Sequence, residues 1–492
     1  MTLDPRSRWL ALYVLCLGVL MIVLDATIVN VALPSIRADL GFSQTSLAWV
    51  VNAYILTFGG FLLLGGRLGD IYGHRRLFLG GITLFTLASL ACGLANSQGL
   101  LVGARAVQGF GGAVVSAVGL SLVMNLFTEA GDRAKAMGVY GFVASGGGTI
   151  GVLLGGILTD KLDWHWIFLV NLPVGIAVVV LCFALLPAGT GQGATTRLDV
   201  GGAVTVTASL MLAVYAVVNG NQAGWLSGQT LGLLAAAVAL LGVFLAIELR
   251  VRSPLVPLGL FKLRNVATAN VIGVITAAAM FGVFFGMALY LQLVLGYSPL
   301  QVGLAFVPQS LIMGACSLGV SAKLVMRFGI RPPLVGGMVL VAAGLLLFAR
   351  VPVDGNYVID LLPGMILLGL GAGIGFNPVF LAAMSDVAPE ESGLASGVVN
   401  TAFMMGGALG LAVLASLATR RTGSLAASGH SHLAALTGGY HVAFLLAGLM
   451  SAAAAVIGAT LLRAGVGQPA PAHGGGADSP GAVASAEPTS LN

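Results

Sequence analysis

The sequence predicts an all-α integral membrane protein with fourteen transmembrane helices, on three observations. Of its 492 residues, 58% are hydrophobic and 8% are charged, and the mean hydropathy is +1.01; soluble domains are far less apolar. Apolar stretches of about 17 residues or more recur, and a helix of that length crosses roughly 30 Å of hydrocarbon. The stretches are continuous, whereas β-barrel strands alternate over about ten residues, so helices are favoured.

Fourteen apolar stretches follow one another along the chain. They cover residues 9–33, 46–66, 77–95, 99–126, 134–158, 165–187, 199–219, 229–249, 266–294, 301–322, 333–350, 359–385, 394–418 and 440–462. The first is too long for the core of a signal peptide, and no A-x-A cleavage pattern follows it, so we expect it to be a transmembrane helix. The four cysteines fall inside spans at unrelated spacings, which predicts packing roles and neither disulfides nor a zinc site.

The distribution of lysine and arginine predicts the orientation in the membrane. When both termini are placed in the cytoplasm, most basic residues of the loops fall on the cytoplasmic side, as the positive-inside rule requires. The net charge of +5 then reflects topology, and no basic stripe with interleaved aromatic residues indicates nucleic-acid binding. Because Gly and Ala are abundant, as in GC-rich bacterial genes, we expect a multi-pass protein of the bacterial inner membrane.

The chain contains an internal repeat. The segment LGFSQTSLAWV, from Leu40, is similar to LGYSPLQVGLAFV, from Leu295, and each leads into a span that ends in a basic loop. Gly73 of the first loop aligns with Gly329 of the second, so the offset stays near 255 residues. The repeat predicts two pseudo-symmetric six-helix bundles, an architecture of transporters whose halves rock about a central cavity. A chance similarity between two oily segments is the alternative.

The repeat also predicts the domain boundaries. The N-terminal bundle covers residues 1–187, two inserted helices with a linker cover 188–258, and the C-terminal bundle covers 259–463. Residues 464–492 are rich in Gly, Ala, Ser and Pro, which predicts a disordered cytoplasmic tail.

Four motifs carry a family resemblance when taken in order. They are LDATIVNVALP at 24–34, GGRLGDIYGHRR at 65–76, RAVQGFGGA from Arg105, and WHWIFLVNLPVG at 164–175. Together they resemble the signatures of the major facilitator superfamily, in particular its fourteen-span drug/proton antiporter branch. The resemblance implies export of a small amphipathic drug or antibiotic in exchange for protons. It also implies a monomer in the lipid bilayer that is driven by the proton gradient without a cofactor.

The charged loop GGRLGDIYGHRR predicts a cytoplasmic gate. Paired charges in a tight turn at the membrane edge can join two helices when that face is closed, and water can solvate them when it opens. Asp70 is the acceptor in this scheme, and Met326 takes its place in the second loop, so the latch is expected to be asymmetric. The alternative is that these charges only fix topology. The predicted gate residues are Gly66, Arg67, Asp70, Gly73, Arg75 and Arg76.

A glycine-rich stretch, GGGTIGVLLGG at 146–156, resembles the antiporter motif of span 5. Its predicted members are Gly147, Gly151, Gly155 and Gly156. Glycines at intervals of four give a smooth face that lets another helix approach closely. Val152 stands where the family pattern has proline and cannot kink the helix in the same way. Generic tight packing is the alternative reading of the glycines.

Two charges within the predicted spans are candidates for proton coupling. Asp25 lies deep in the first span, where a carboxylate costs roughly 2.5 to 3.5 kcal/mol on insertion scales. Arg105 shares a helical face with Gln108, and its permanent charge requires a partner or water. We predict that Asp25 takes up and releases the proton and that Arg105 tunes it. Purely structural roles for both remain open alternatives.

Polar and aromatic residues inside the spans predict the substrate cavity. The candidates are Asn30, Asn52, Tyr54, Gln292, Gln309, Asn377, Asn400 and Phe403. The later spans contain no convincing deep carboxylate, which favours neutral, monocationic or zwitterionic cargo over a dication.

Other functions are less well supported by the sequence. No lysine follows a glycine, so the Walker pattern is absent. No catalytic residues and no metal ligands are predicted, which disfavours a membrane enzyme. The remaining alternatives are a proton-coupled importer, an exporter dedicated to one metabolite, and a sensor that binds without transporting.

Overall fold

The computed structural model describes residues 4–43, 45–127, 129–186, 199–251, 254, 256, 258–385, 387 and 392–463, and the regular structure in these ranges is helical. The α-helices are α1 Pro5–Leu40, α2 Ala48–Tyr72, α3 His74–Gly93, α4 Gln98–Leu126, α5 Ala130–Lys161, α6 Trp166–Leu169, α7 Asn171–Leu185, α8 Val200–Ala223, α9 Gly228–Glu248, α10 Arg264–Leu293, α11 Pro299–Ala315, α12 Ser321–Phe328, α13 Arg331–Phe348, α14 Leu362–Met384, α15 Ser392–Ala427 and α16 His432–Leu461. The predicted tail at 464–492 lies outside the described residues.

Within the described ranges, eleven helices are long and apolar enough to cross a membrane. Two shorter apolar helical stretches, Ala48–Leu62 and Pro299–Ala315, lie in α2 and α11. A π-helical turn, Cys316–Val320, joins α11 to α12, and a second one, Tyr357–Leu361, leads into α14. The predicted all-α, multi-pass membrane fold is therefore confirmed, while the count of fourteen spans stays a prediction.

The helices pack in two groups joined by an inserted pair. Helices α1 to α7 contact one another, with α4 against α2 and α3 and with α1 against α5, and helices α10 to α16 form a second group. Helix α8 packs on α9 and also contacts α2 and α15. The inserted pair therefore lies beside the junction of the two groups, and the predicted domain boundaries stay predictions.

The internal repeat is visible in the backbone. Gly41 and Gly296, which the repeat aligns, both have φ of 69°. Gly73 and Gly329, aligned in the two basic loops, have φ of 91° and 77°. Only glycine enters this region at little steric cost. The sequence similarity therefore corresponds to the same two turns built twice.

The two groups of helices touch where α5 meets α11, where α2 meets α15, and where α1 meets α10. Gln292 of α10 donates from Nε2 to the carbonyl oxygen of Val31 in α1, at 2.8 Å. Gln292 lies at the C-terminal end of α10 and Val31 lies in the C-terminal half of α1, so this contact joins the bundles in the half of the membrane opposite the start of α1.

The predicted glycine motif of α5 lies in two helix contacts. Gly147, Gly151 and Gly155 face α1; a Cβ on Gly155 would lie 2.6 Å from the carbonyl oxygen of Ile28. Gly156 faces α11, where a Cβ would lie 2.8 Å from the carbonyl oxygen of Pro299. These backbones approach too closely for side chains, as small residues allow. The motif thus joins α5 both to its own bundle and to the other one.

We expect Gly155→Ala to lower the thermal unfolding temperature of the solubilised protein. The added methyl group meets backbone atoms of Ile28 that cannot give way, and overpacking of this kind costs about 1–3 kcal/mol. Gly148→Ala is the matched control, because its Cβ would meet only Thr27 Cγ2 at 3.8 Å. Equal unfolding temperatures for the two variants would contradict the close α1–α5 packing.

Candidate functional site

The two predicted intramembrane charges form a salt bridge. Arg105 of α4 donates from Nη1 to Oδ2 of Asp25 in α1, at 2.5 Å, and both side chains are 0% exposed. The sequence placed these residues in separate spans and left open whether they touch. The structure shows that they do, inside the N-terminal bundle.

Two amides complete the surroundings of the carboxylate. Gln108 donates from Nε2 to Asp25 Oδ1 at 2.7 Å, and Asn171 of α7 donates from Nδ2 to the same oxygen at 3.0 Å. Gln108 also donates to Ser89 Oγ of α3 at 2.8 Å, and its Oε1 accepts from Arg105 Nη1 at 2.6 Å. Among the described residues, the side chains that contact the Asp25 carboxylate, Arg105, Gln108 and Asn171, all donate to it, as an ionised carboxylate requires.

The guanidinium of Arg105 has partners of its own. Its Nε donates to the carbonyl oxygen of Val50 in α2 at 2.9 Å, and its Cζ lies 4.3 Å from the ring centroid of Tyr54. The ring of Phe168 lies 5.6 Å away on α6. In the described part of the chain, Nη2 finds no hydrogen-bond partner. The cation is therefore held independently of Asp25 but keeps one unused donor.

This arrangement can couple a proton to helix packing. A proton on Asp25 removes the charge that Arg105 neutralises, whereas Arg105 retains Val50, Gln108 and Tyr54. The contact between α1 and α4 is therefore the one that protonation weakens.

Asn171 and Ser89 were not predicted from the sequence. The available signal was their polarity inside apolar spans, and Asn171 also lies within the motif WHWIFLVNLPVG at 164–175.

The predicted gate is only partly described. Gly73 makes the expected turn at the junction of α2 and α3. Arg75 donates from Nη2 to the carbonyl oxygen of Phe183 at 3.0 Å, and Arg76 is exposed. The side chains of Arg67 and Asp70 lie outside the described residues, so the latch stays a prediction.

Four of the predicted substrate residues contact other parts of the protein. Asn30 donates from Nδ2 to the carbonyl oxygen of Thr27 in its own helix, at 3.2 Å. Asn377 donates from Nδ2 to the carbonyl oxygen of Ser317 at 3.2 Å and to its Oγ at 3.0 Å. The ring of Tyr54 packs against the guanidinium of Arg105, and Gln292 donates to the carbonyl oxygen of Val31 in α1.

The other four candidates lie on α2, α11 and α15. Asn52 is 0% exposed, and neither atom of its amide has a partner among the described residues. Gln309 is buried, and Asn400 is half-buried. Phe403 packs edge-on against Phe376, with ring centroids 5.2 Å apart.

Comparison with known proteins agrees with this architecture. Residues 15–411 match the sequence profile of the Major Facilitator Superfamily. The puromycin resistance protein pur8 of Streptomyces alboniger is 41% identical over 464 residues, which cover 94% of this chain and 90% of that protein. The cephamycin export protein CmcT of Amycolatopsis lactamdurans is 39% identical over 434 residues, covering 88% and 89%.

Solved structures share the fold at low sequence identity. The nucleoside transporter NupG superposes with a TM-score of 0.63 at 12% identity, covering 92% of this chain and all of that one. A bacterial homolog of the lysosomal transporter Spinster, inward-facing and unoccupied, gives a TM-score of 0.64 at 14% identity, covering 92% and 97%. With this fold and these relatives, the chain belongs to the major facilitator superfamily and is a multi-pass membrane transporter of small molecules, not an enzyme.

Proposed function

We propose that the protein exports small amphipathic compounds, antibiotics among them, from the cytoplasm in exchange for protons. Relatives covering most of the chain carry names of puromycin resistance and cephamycin export. A third, 34% identical over 427 residues, is the tetracenomycin C resistance and export protein of Streptomyces glaucescens. These compounds differ widely in structure, which supports a cargo class defined by amphipathic character.

The observation that carries the proton coupling is the ion pair of Asp25 and Arg105, sealed from solvent in the N-terminal bundle. Buried charges inside a membrane are retained at a free-energy penalty and mark ion and proton pathways. Asp25 is the titrating group in this proposal, because an arginine does not lose its proton at physiological pH.

The transport cycle follows from which contacts protonation removes. Uptake of a proton by Asp25 weakens its bond to Arg105, so α1 can move against α4 and favour the other orientation of the bundles. Release of the proton on the opposite side restores the pair and resets the cycle. One charge crossing about 150 mV supplies about 3.5 kcal/mol, enough for a few-hundredfold substrate gradient. No cofactor is needed in this scheme.

The proposal places the protein as a monomer in a bacterial inner membrane, with both termini in the cytoplasm. The basic loops between α2 and α3 and between α12 and α13 then face the cytoplasm, as the positive-inside rule requires. The contacts of Gly156 with α11 and of Gln292 with α1 lie at the external end of this arrangement.

Asp25→Asn is expected to abolish uphill export while leaving membrane insertion intact, because the amide keeps the shape of the carboxylate but cannot take up the proton. The cargo is first identified by comparing the drug sensitivity of cells with and without the protein, starting with puromycin. Its accumulation is then measured in proteoliposomes under an imposed pH gradient. Asp163→Asn, at a half-exposed carboxylate of the α5–α6 loop, is the matched control. A normal accumulation ratio for Asp25→Asn would remove Asp25 from the mechanism.

Arg105→Lys is expected to slow transport at least tenfold and to change its pH profile. A lysine ammonium can reach Asp25 but cannot also bind the carbonyl oxygen of Val50 and stack on Tyr54 as a planar guanidinium does. Initial rates are measured across pH in proteoliposomes, with Arg350→Lys, at an exposed site, as control. If rate and pH profile match the unaltered protein, Arg105 serves only structure.

A further inference from the structure

A buried amide without a hydrogen-bond partner lies at the junction of the two bundles. Asn52, in the first two turns of α2, is 0% exposed, and neither Nδ2 nor Oδ1 has a partner among the described residues. Buried amides are almost always paired in proteins, because an unpaired one gives up its hydrogen bonds to water without replacement. The protein therefore keeps this group at a free-energy cost in the conformation that the structure shows.

The side of α2 that carries Asn52 faces the other bundle. Gly59 lies two helical turns further along α2 and so on the same face of the helix. A Cβ on Gly59 would lie 2.8 Å from Cβ of Met404 in α15. Asn52 therefore lies on the face of the N-terminal bundle that packs against the C-terminal bundle.

Helix α8 completes the enclosure of Asn52. Trp49, one turn before Asn52, packs against Tyr215 of α8, with ring centroids 6.5 Å apart. Ser416 of α15 donates from Oγ to the carbonyl oxygen of Val217 in α8, at 3.0 Å. Three helices, α2, α8 and α15, thus converge near Asn52, and water is kept from its amide.

Other contacts close the same end of the molecule. Gln292 donates to the carbonyl oxygen of Val31, and Gly156 packs against the start of α11. Helix α2 begins shortly after α1 ends, so Asn52 belongs to the end where these contacts lie. We call this the closed end; it is the external end in the proposed orientation.

We infer that Asn52 is a gating residue, whose unpaired amide destabilises the closed end and so favours its opening. Rocking of the bundles separates α2 from α15 at this end, and water then supplies the hydrogen bonds that the amide lacks while the end is closed. A leucine of similar size has the opposite preference, because its apolar side chain suits a dry interface better than a wet one. The inference concerns the opening of the bundles and names neither cargo nor coupling ion, so it goes beyond the proposed function.

Double electron–electron resonance of the protein in lipid nanodiscs measures this opening directly. Spin labels are attached at Leu94→Cys, after α3, and at Val358→Cys, before α14, which are exposed positions on opposite bundles at the closed end. The four native cysteines are buried, and a sample without introduced cysteines measures their background labelling. The ratio of open to closed populations is recorded without cargo or a proton gradient. Asn52→Leu is expected to lower this ratio about fivefold or more.

Thr57→Val is the matched control on the same helix. The Thr57 hydroxyl donates to the carbonyl oxygens of Ala53 and Tyr54 within α2, at 2.9 and 3.1 Å, and it faces Gly109 of its own bundle. Valine has nearly the same shape and removes a hydroxyl that is already paired. This variant is expected to leave the ratio of open to closed populations unchanged.

Three outcomes overturn the inference. An unaltered protein without a measurable open population shows that the amide does not promote opening. An unchanged or raised ratio in Asn52→Leu shows that the amide is neutral or stabilises the closed end, as it does if it binds a trapped water. An equal fall in Thr57→Val shows that loss of any polar group from α2 has this effect.

A failure of the proposed function gives a different result. A protein whose ratio of populations responds to Asn52→Leu as expected, but which never accumulates a drug against its gradient, contradicts the proposed function and leaves the gating role of Asn52 in place. Asn52→Ala, which also lacks the amide, replaces Asn52→Leu if the latter does not purify as a monodisperse protein.

Discussion

The structure depends on keeping two charges paired where water is excluded. Asp25 and Arg105 come from different helices, and their polar partners come from α1, α2, α4 and α7. Removing one partner of a buried pair costs about 3–5 kcal/mol, because the other charge is left without compensation. A proton on Asp25 would remove its charge and so weaken the tie between α1 and α4.

Close helix contacts join the surroundings of Asp25 to the interface between the two bundles. The glycines of α5 place it against α1, which holds Asp25, and Gly156 of the same helix lies against the start of α11 in the other bundle. In the proposed cycle, a movement of α1 would therefore reach the interface between the halves through α5.

Composition and motifs predicted the helical membrane fold, the family and the repeat, since long apolar runs and turn glycines are local properties of the chain. They also singled out Asp25 and Arg105, because charge is rare inside apolar spans. The contact between these residues could not be predicted, because it joins positions 80 residues apart. Asn171 and Ser89 were missed for the same reason: a polar residue in a span is informative only once its neighbours are known. Tyr54 lies against Arg105, and its predicted role in the substrate cavity stays a prediction.

The central claim is that Asp25 changes its protonation during transport. Infrared difference spectroscopy of the protein in lipid tests it directly, since a protonated carboxyl group has a carbonyl stretching band that a carboxylate lacks. Adding an exported compound to acid-equilibrated protein is predicted to remove such a band, and the same spectrum of the Asp25→Asn variant is predicted to lack that change. A spectrum in which cargo leaves the Asp25 carboxyl in one protonation state at every pH would contradict the account.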